Sequence, residues 1–306
     1  MGPAKGKTAR RLTVPRFRHF IGIDWSGAKG PRQAGIAVAM ADERGGPPAL
    51  AGKGKVWSRQ DVLTMLTDEL PADTLIGLDL GISLPFLDEG RFFPGWQNSP
   101  ADARALWRLI DEICEDDPHL SACSFVDHPE LSRYFRRHGG REGDRFHGAG
   151  AAHRRGRMRV TEAAQAAQGC KPYSNFNLVG AAQVGKSSLT GMRVLNKLAG
   201  RLSVWPIDDV PDSGSVVVEI YTSLIAIEAG RSASRAKITD HDALNAALSC
   251  LGCPPVPGTG PISDHAADAL LTAAWLRNAA NRQELWHPKA LTPQIAQTEG
   301  WTFGAS

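Results

Sequence analysis

The sequence has no apolar run approaching the roughly 18 residues needed to span a bilayer. Its basic first twenty residues also lack the apolar stretch that follows the charged region of a secretory signal. Cysteine is sparse: Cys114, Cys123, Cys170, Cys250 and Cys253 are five in number and scattered, which argues against a disulfide framework. Cys250 and Cys253 form a C-x-x-C, but no second pair or His cluster stands at zinc-like spacing, so all five read as reduced, inert thiols. There is no internal repeat. A soluble, cytoplasmic protein with no membrane partner is expected. The 306 residues, 42% hydrophobic and 22% charged, exclude wholesale disorder, collagen-like repeats and coiled coil. A chain of this length buries roughly 75% of its unfolded surface, so it has a substantial core without staples.

What is present in excess is positive charge at two places. Residues 1–20 carry six Lys or Arg and no acid, and residues 131–159 carry nine Arg against Glu142 and Asp144. The formal net charge is only +3, so the rest of the chain is acidic. An acidic body with two basic segments suits contact with a polyanion at defined points, because each neutralised phosphate releases counterions. In the second window Tyr134, Phe135 and Phe146 interleave with arginines, as in surfaces on which nucleic-acid bases stack. Arg136, Arg137, Arg154, Arg155 and Arg157 are therefore candidate backbone contacts. The competing reading is a solvated loop whose arginines pair with the acidic body.

Residues 1–18 read as a basic arm without periodic structure. Residues 20–24 and 35–40 read as a buried strand and its hairpin partner, and 55–57 as a third strand. Ser58 is placed to cap a helix over 60–69, closed by Pro71. Residues 74–79 form a second apolar strand. Helices are expected over 101–113, 188–198, 242–248 and 263–278, a strand over 215–220, and long loops over 92–99 and 139–159. The sum is an α/β domain with a mixed sheet and one large insertion.

Asp24 and Asp79 each close an apolar strand, where a charge is costly without a partner. Open α/β sheets place their sites outside the carboxyl ends of the strands. Glu219 follows Val216-Val217-Val218, and Asp264 and Asp268, four apart, share a helix face with His265 nearby. Two strand-end aspartates, a strand glutamate and a helical Asp/His set supply the oxygen-rich donors that two Mg²⁺ or Mn²⁺ ions require. Taken singly, Asp79 also suits a turn cap and Asp264 a helix N-cap.

Together, Gly22-Ile23-Asp24-Trp25-Ser26-Gly27, Gly77-Leu78-Asp79 with Leu84-Pro85, Glu219-Ile220-Tyr221 and Asp264-His265-Ala266-Ala267-Asp268-Ala269-Leu270 resemble the bacterial family called domain of unknown function four-two-nine. The last segment is also similar to the final active-site helix of RuvC-type Holliday-junction resolvases. The likeness spreads over most of residues 20–280. It implies a ribonuclease-H-like, three-layer fold with a mixed central sheet flanked by helices, and metal-dependent nuclease activity. The pattern along the chain divides it into the arm at 1–18, a domain over 19–285 with a helical and loop insertion at about 88–200, and a tail over 286–306. The resemblance also implies a two-metal site in which Asp24 bridges and Asp79 and Asp268 complete the ligands, with Glu219 and either His265 or Asp264 as further members. A RuvC-like arrangement implies a homodimer. Thr222 departs from the family pattern, which has Pro after Glu-x-Tyr.

Gly180 through Ser187 fits G-x-x-x-x-G-K-[ST], a phosphate-cradling pattern, but the segment before it is too polar and Pro-broken for the strand such a loop follows. Lys186 is instead a candidate contact to a phosphate backbone. The Gly22 to Gly27 segment also suits the first phosphate loop of an actin-like or sugar-kinase phosphotransferase, whose second loop would have to start at Asp79. The expected function is thus a nuclease, with that phosphotransferase or a non-catalytic nucleic-acid-binding module as alternatives. Whether the nucleic acid is DNA or RNA stays open.

Overall fold

The computed structural model describes residues 17–148, 155–179, 183–232 and 237–306. In chain order the elements are β1 (His19–Asp24), β2 (Ala37–Asp42), β3 (Ala49–Leu50), α1 (Arg59–Asp68), β4 (Thr74–Asp79), α2 (Ala103–Ile113), α3 (Cys123–Asp127), α4 (Val160–Ala167) and α5 (Val184–Leu198). They continue with β5 (Ser203–Trp205), β6 (Val216–Glu219), α6 (Thr222–Glu228), α7 (His241–Cys250), α8 (Asp264–Ala279), α9 (Gln283–Trp286) and α10 (Pro293–Thr298). The six strands form one sheet in the order β3-β2-β1-β4-β6-β5. β1, β2 and β3 pair antiparallel, and β1, β4, β6 and β5 run parallel. The chain is α/β, a mixed six-stranded sheet flanked by helices.

Strand periodicity divides the core. Ile21, Ile23, Ile76, Leu78 and Val217 face α1, α2 and α5, whereas Phe20, Leu75, Val216 and Val218 face α6, α7 and α8. On the second face Gly22 and Gly77 stand opposite each other in the β1–β4 register. A Cβ at Gly22 would lie 2.7 Å from Thr272 Cβ and inside the backbone of Ala269, and one at Gly77 would lie 3.1 Å from Leu276 Cδ1. These two glycines, with the alanines of α8, let the helix backbone lie directly on the sheet.

Two expected elements differ. Residues 55–57 leave a turn as irregular chain with Val56 exposed, and the third strand is the two-residue β3 instead. Directly after Pro47 and Pro48, β3 is too short to show periodicity. The expected tail at 286–306 belongs to the core: Trp301 and Phe303 are buried, and Phe303 packs on Trp205, Trp275 and Trp286. Phe17, from the end of the expected arm, stacks on Trp286, while residues 1–16 lie outside the described residues. Among the described residues no helix is long and apolar enough to cross a membrane.

Candidate functional site

Asp24 and Asp79 lie two residues beyond Gly22 and Gly77, so alternation turns both toward α8, and the parallel register sets them side by side. Ser263 caps α8, its hydroxyl accepting from the Ala266 N–H at 3.1 Å. Close packing then brings the first turns of α8, with Asp264, His265 and Asp268, over the carboxyl ends of β1 and β4. All five residues line one open cleft of about 550 Å³. The loop after β1 is pinned from behind by buried Arg59, which donates to the carbonyls of Ser26 (3.0 Å) and Ala28 (2.6 Å).

Burial dominates the electrostatics, with like charge second. Burial, then the charges of Asp24 and Asp268, push the Asp79 carboxyl well above the usual carboxylate range, against a 3.3 Å hydrogen bond from the Thr222 hydroxyl. Burial, Asp24 and Asp264 raise Asp268 to about 7. Asp24, only 7% exposed, is also raised by burial, opposed by His265, whose Nδ1 lies 2.6 Å from Asp24 Oδ2. That hydrogen bond in turn raises the imidazole. Asp264 is lowered by Lys237, which donates to it at 2.7 Å.

The donor chemistry suits a hard divalent cation: carboxylate oxygens from three elements, short of counter-charge. Among the described residues no group of three or more His, Cys, Asp or Glu side chains stands in ligating arrangement. A Mg²⁺-like ion keeps several waters and takes one or two carboxylates, so a sparse protein shell is compatible with it.

Glu219 departs from the metal role expected of it. Its place in the alternation, with Val217, turns it to the opposite face from Asp24 and Asp79. There Glu219 Oε1 accepts from Arg159 Nη2 (2.6 Å) and the Thr302 hydroxyl, and Oε2 accepts from Arg159 Nη1 (2.8 Å) and the Ile82 N–H (2.8 Å). Arg159 also donates to Glu162 Oε1 at 2.7 Å, so a buried ion triad walls one side of the cleft.

The basic residues separate. Arg157 is 2% exposed, and its guanidinium is taken up by Asp88 and the carbonyls of Pro85, Arg91 and Phe92; it ties the insertion together and does not face a phosphate. Arg136 stands 3.7 Å from Glu142. Arg155 lies over the exposed Tyr173 ring at the cleft rim. Arg137 and Lys186 line a second cavity beside the cleft. Arg154 and residues 180–182 of the phosphate-loop pattern lie outside the described residues. Lys186 is in the first turn of α5 and donates to Gln183 Oε1. Tyr134, Phe135 and Phe146, expected as stacking surfaces, are buried in the core with Phe93, Phe125 and Phe176.

Sequence reasoning missed Arg159, Glu162, Thr222 and Lys237 as members of the site. For the first pair a signal exists: Glu162, three residues after Arg159, accepts from the Arg159 N–H at 2.6 Å at the start of α4, a spacing readable as a helix start. For Lys237, 27 residues from Asp264, there is none. Comparison of the chain with protein-family models, with curated proteins and with solved structures finds no match.

Proposed function

We propose that this protein is a divalent-cation-dependent phosphodiesterase acting on nucleic acid, built on a ribonuclease-H-like sheet. The observation that carries the reading is the convergence of Asp24, Asp79 and Asp268, from three elements distant in sequence, into one cleft where burial, aided by neighbouring carboxylates, raises all three carboxyls. Such a cluster costs the fold stability, and a bound divalent cation offsets it. The antiparallel first hairpin, the parallel strands beyond it and the acids at strand ends fit the fold that the sequence motifs imply.

In this reading Asp24, Asp79 and Asp268 hold Mg²⁺ or Mn²⁺. The chemistry gained when the ions are bound is activation of water and neutralisation of charge on the phosphoryl group. Thr222 fixes the Asp79 carboxylate through its hydroxyl. His265 sets its Nδ1 against Asp24, orienting that carboxyl within the cleft.

The actin-like phosphotransferase reading needs free amides after β4 to cradle phosphate. The Gly81 N–H donates to Ser188 Oγ and the Ile82 N–H to Glu219, so that loop has spent the donors it would need. The non-catalytic binding module draws on the hydrogen bond that occupies one Asp24 oxygen. Cleavage of a labelled panel (single- and double-stranded DNA, a four-way junction, RNA and an RNA–DNA hybrid) with Mg²⁺ or Mn²⁺ decides between them. Loss of cleavage in chelator, Asp24→Asn and Asp268→Asn is the expected result. A panel that is bound but left uncut by the wild type would refute the catalytic reading.

A further inference from the structure

The second cavity, of about 250 Å³, opens next to the carboxylate cleft, and the two share Gly27 and Ala28. Charge inverts across that shared ridge. On one side six carboxylates face Arg159 and Lys237. On the other, Lys29, Arg137, Arg141 and Lys186 face Asp127 alone. Lys29 and Arg141 are exposed and have no side-chain hydrogen bond or ion pair among the described residues. Arg137 stands 3.5 Å from Asp127 and donates to the Val126 carbonyl at 3.0 Å.

The cavity floor is apolar, made by Leu178, Leu189, Ala122 and Val126, with Leu178 and Leu189 buried in the core. The ridge is low. A Cβ at Gly27 would lie 2.6 Å from Ser187 N, so the loop sits flush on the start of α5. A cationic rim over an apolar slot matches one ligand chemistry closely: a nucleotide, with an anionic phosphate at one end and at the other a base whose flat faces suit an apolar wall.

We infer that this cavity is the subsite for the nucleotide flanking the scissile phosphodiester, an inference that rests on the phosphodiesterase reading of the adjoining cleft. The base lies against Val126 and Ala122, with Leu178 and Leu189 behind them, its phosphate meets Lys29, Arg137 and Arg141, and the backbone crosses Gly27 and Ala28 to the carboxylates. A base turned into this cavity cannot at the same time be stacked and paired in a duplex. The substrate class that follows is nucleic acid with an unpaired nucleotide at the cut: a single strand, an open end or an extruded base.

The test is fluorescence anisotropy in EDTA, so that binding is read without cleavage. The probes are a labelled single strand, its blunt duplex and the same strand with one abasic position. The proteins are wild type, Lys29→Glu and Arg141→Glu, each checked for an unchanged melting temperature. Wild type is expected to bind the single strand about tenfold more tightly than the duplex. Each variant is expected to lose about tenfold and to lower the salt dependence by about one phosphate contact. The abasic strand is expected to bind more weakly than the intact one. Equal affinity for single strand and duplex, equal affinity for abasic and intact strands, or unchanged binding by both variants would each overturn the subsite while leaving cleavage by the carboxylate cleft untouched. The expected binding pattern without any metal-dependent cleavage would leave a nucleotide-binding cavity but refute the phosphodiesterase reading, and with it the placement of that nucleotide beside a scissile bond, so the two failures are distinguishable.

Discussion

Replacing Asp268 by Asn removes one of the three carboxylates that crowd the cleft, and it should stabilise the metal-free protein at alkaline pH. Burial, Asp24 and Asp264 raise Asp268 from its usual 3.8 to about 7. Between those two values the folded protein keeps a proton that the unfolded chain has released, so stability falls as pH rises. Above about pH 7 both states have lost the proton and the full penalty is present. At about 1.4 kcal/mol for each pH unit separating the two states, the ceiling is roughly 4 kcal/mol. Partial solvent contact and proton uptake by Asp24 and Asp79 reduce this to on the order of 2 kcal/mol. The amide has nearly the shape of the carboxyl and no charge to lose.

Urea unfolding followed by tryptophan fluorescence, in EDTA at several pH values, reads this directly; Trp25 is buried beside the cleft. The Asn variant should match wild type near pH 4 and exceed it by about 2 kcal/mol at pH 8. Adding Mg²⁺ or Mn²⁺ should then reverse the order. A cation at a hundredfold excess over its dissociation constant stabilises the wild type by about 2.7 kcal/mol, and the variant by less. A variant no more stable than wild type at pH 8 in EDTA would show that Asp268 is not under repulsion, and the electrostatic case for a cation site would fall with it.

Gly22→Ala should push α8 off the sheet, costing about 1–3 kcal/mol in chemical denaturation and lowering cleavage more than it lowers binding of nucleic acid, because Asp268 and His265 move with the helix. Arg159→Met leaves Glu162 and Glu219 buried without their counter-ion, and a loss of about 3–5 kcal/mol is expected at pH 8. That loss should shrink at pH 5, since burial already holds Glu162 at about 7 and the carboxyl is then protonated. Trp301→Ala should cost about 3–5 kcal/mol in urea unfolding, whereas removal of a solvated tail residue would cost nothing measurable.

The parts of the site legible in the sequence are those set by local periodicity. Apolar runs ending in Asp24 and Asp79 are strands because β-structure alternates its faces. Asp264 and Asp268 share a helix face because they are four apart. The capped helix after Ser58 and the long alanine-rich α8 were readable for the same reason, and so was the α/β class. The insertion was not readable in this way. Its arginines and aromatics look alike whether they face water, phosphate or carboxylate.

Tertiary structure alone decided which partner each of those side chains has. Arg157 meets Asp88 across 69 residues, Arg159 meets Glu219 across 60, and Thr302 meets Glu219 across 83. A side chain's charge or hydroxyl states what it can bind, and only the packed chain states what lies within reach. The same distinction explains Glu219: its carboxylate was visible in the sequence, but the pleat of β6 turned it to the opposite face and into an ion triad. It explains the last residues too, since Trp301 and Phe303 carry no helical or strand period yet close the core. The sequence by itself determined the strands, the long helix and the acids they carry, because those follow from repeats of two and of 3.6 residues. The register of β1 on β4, the bare glycines under α8 and the cationic cavity across Gly27 came only with the fold, because each depends on residues that meet in space from distant parts of the chain.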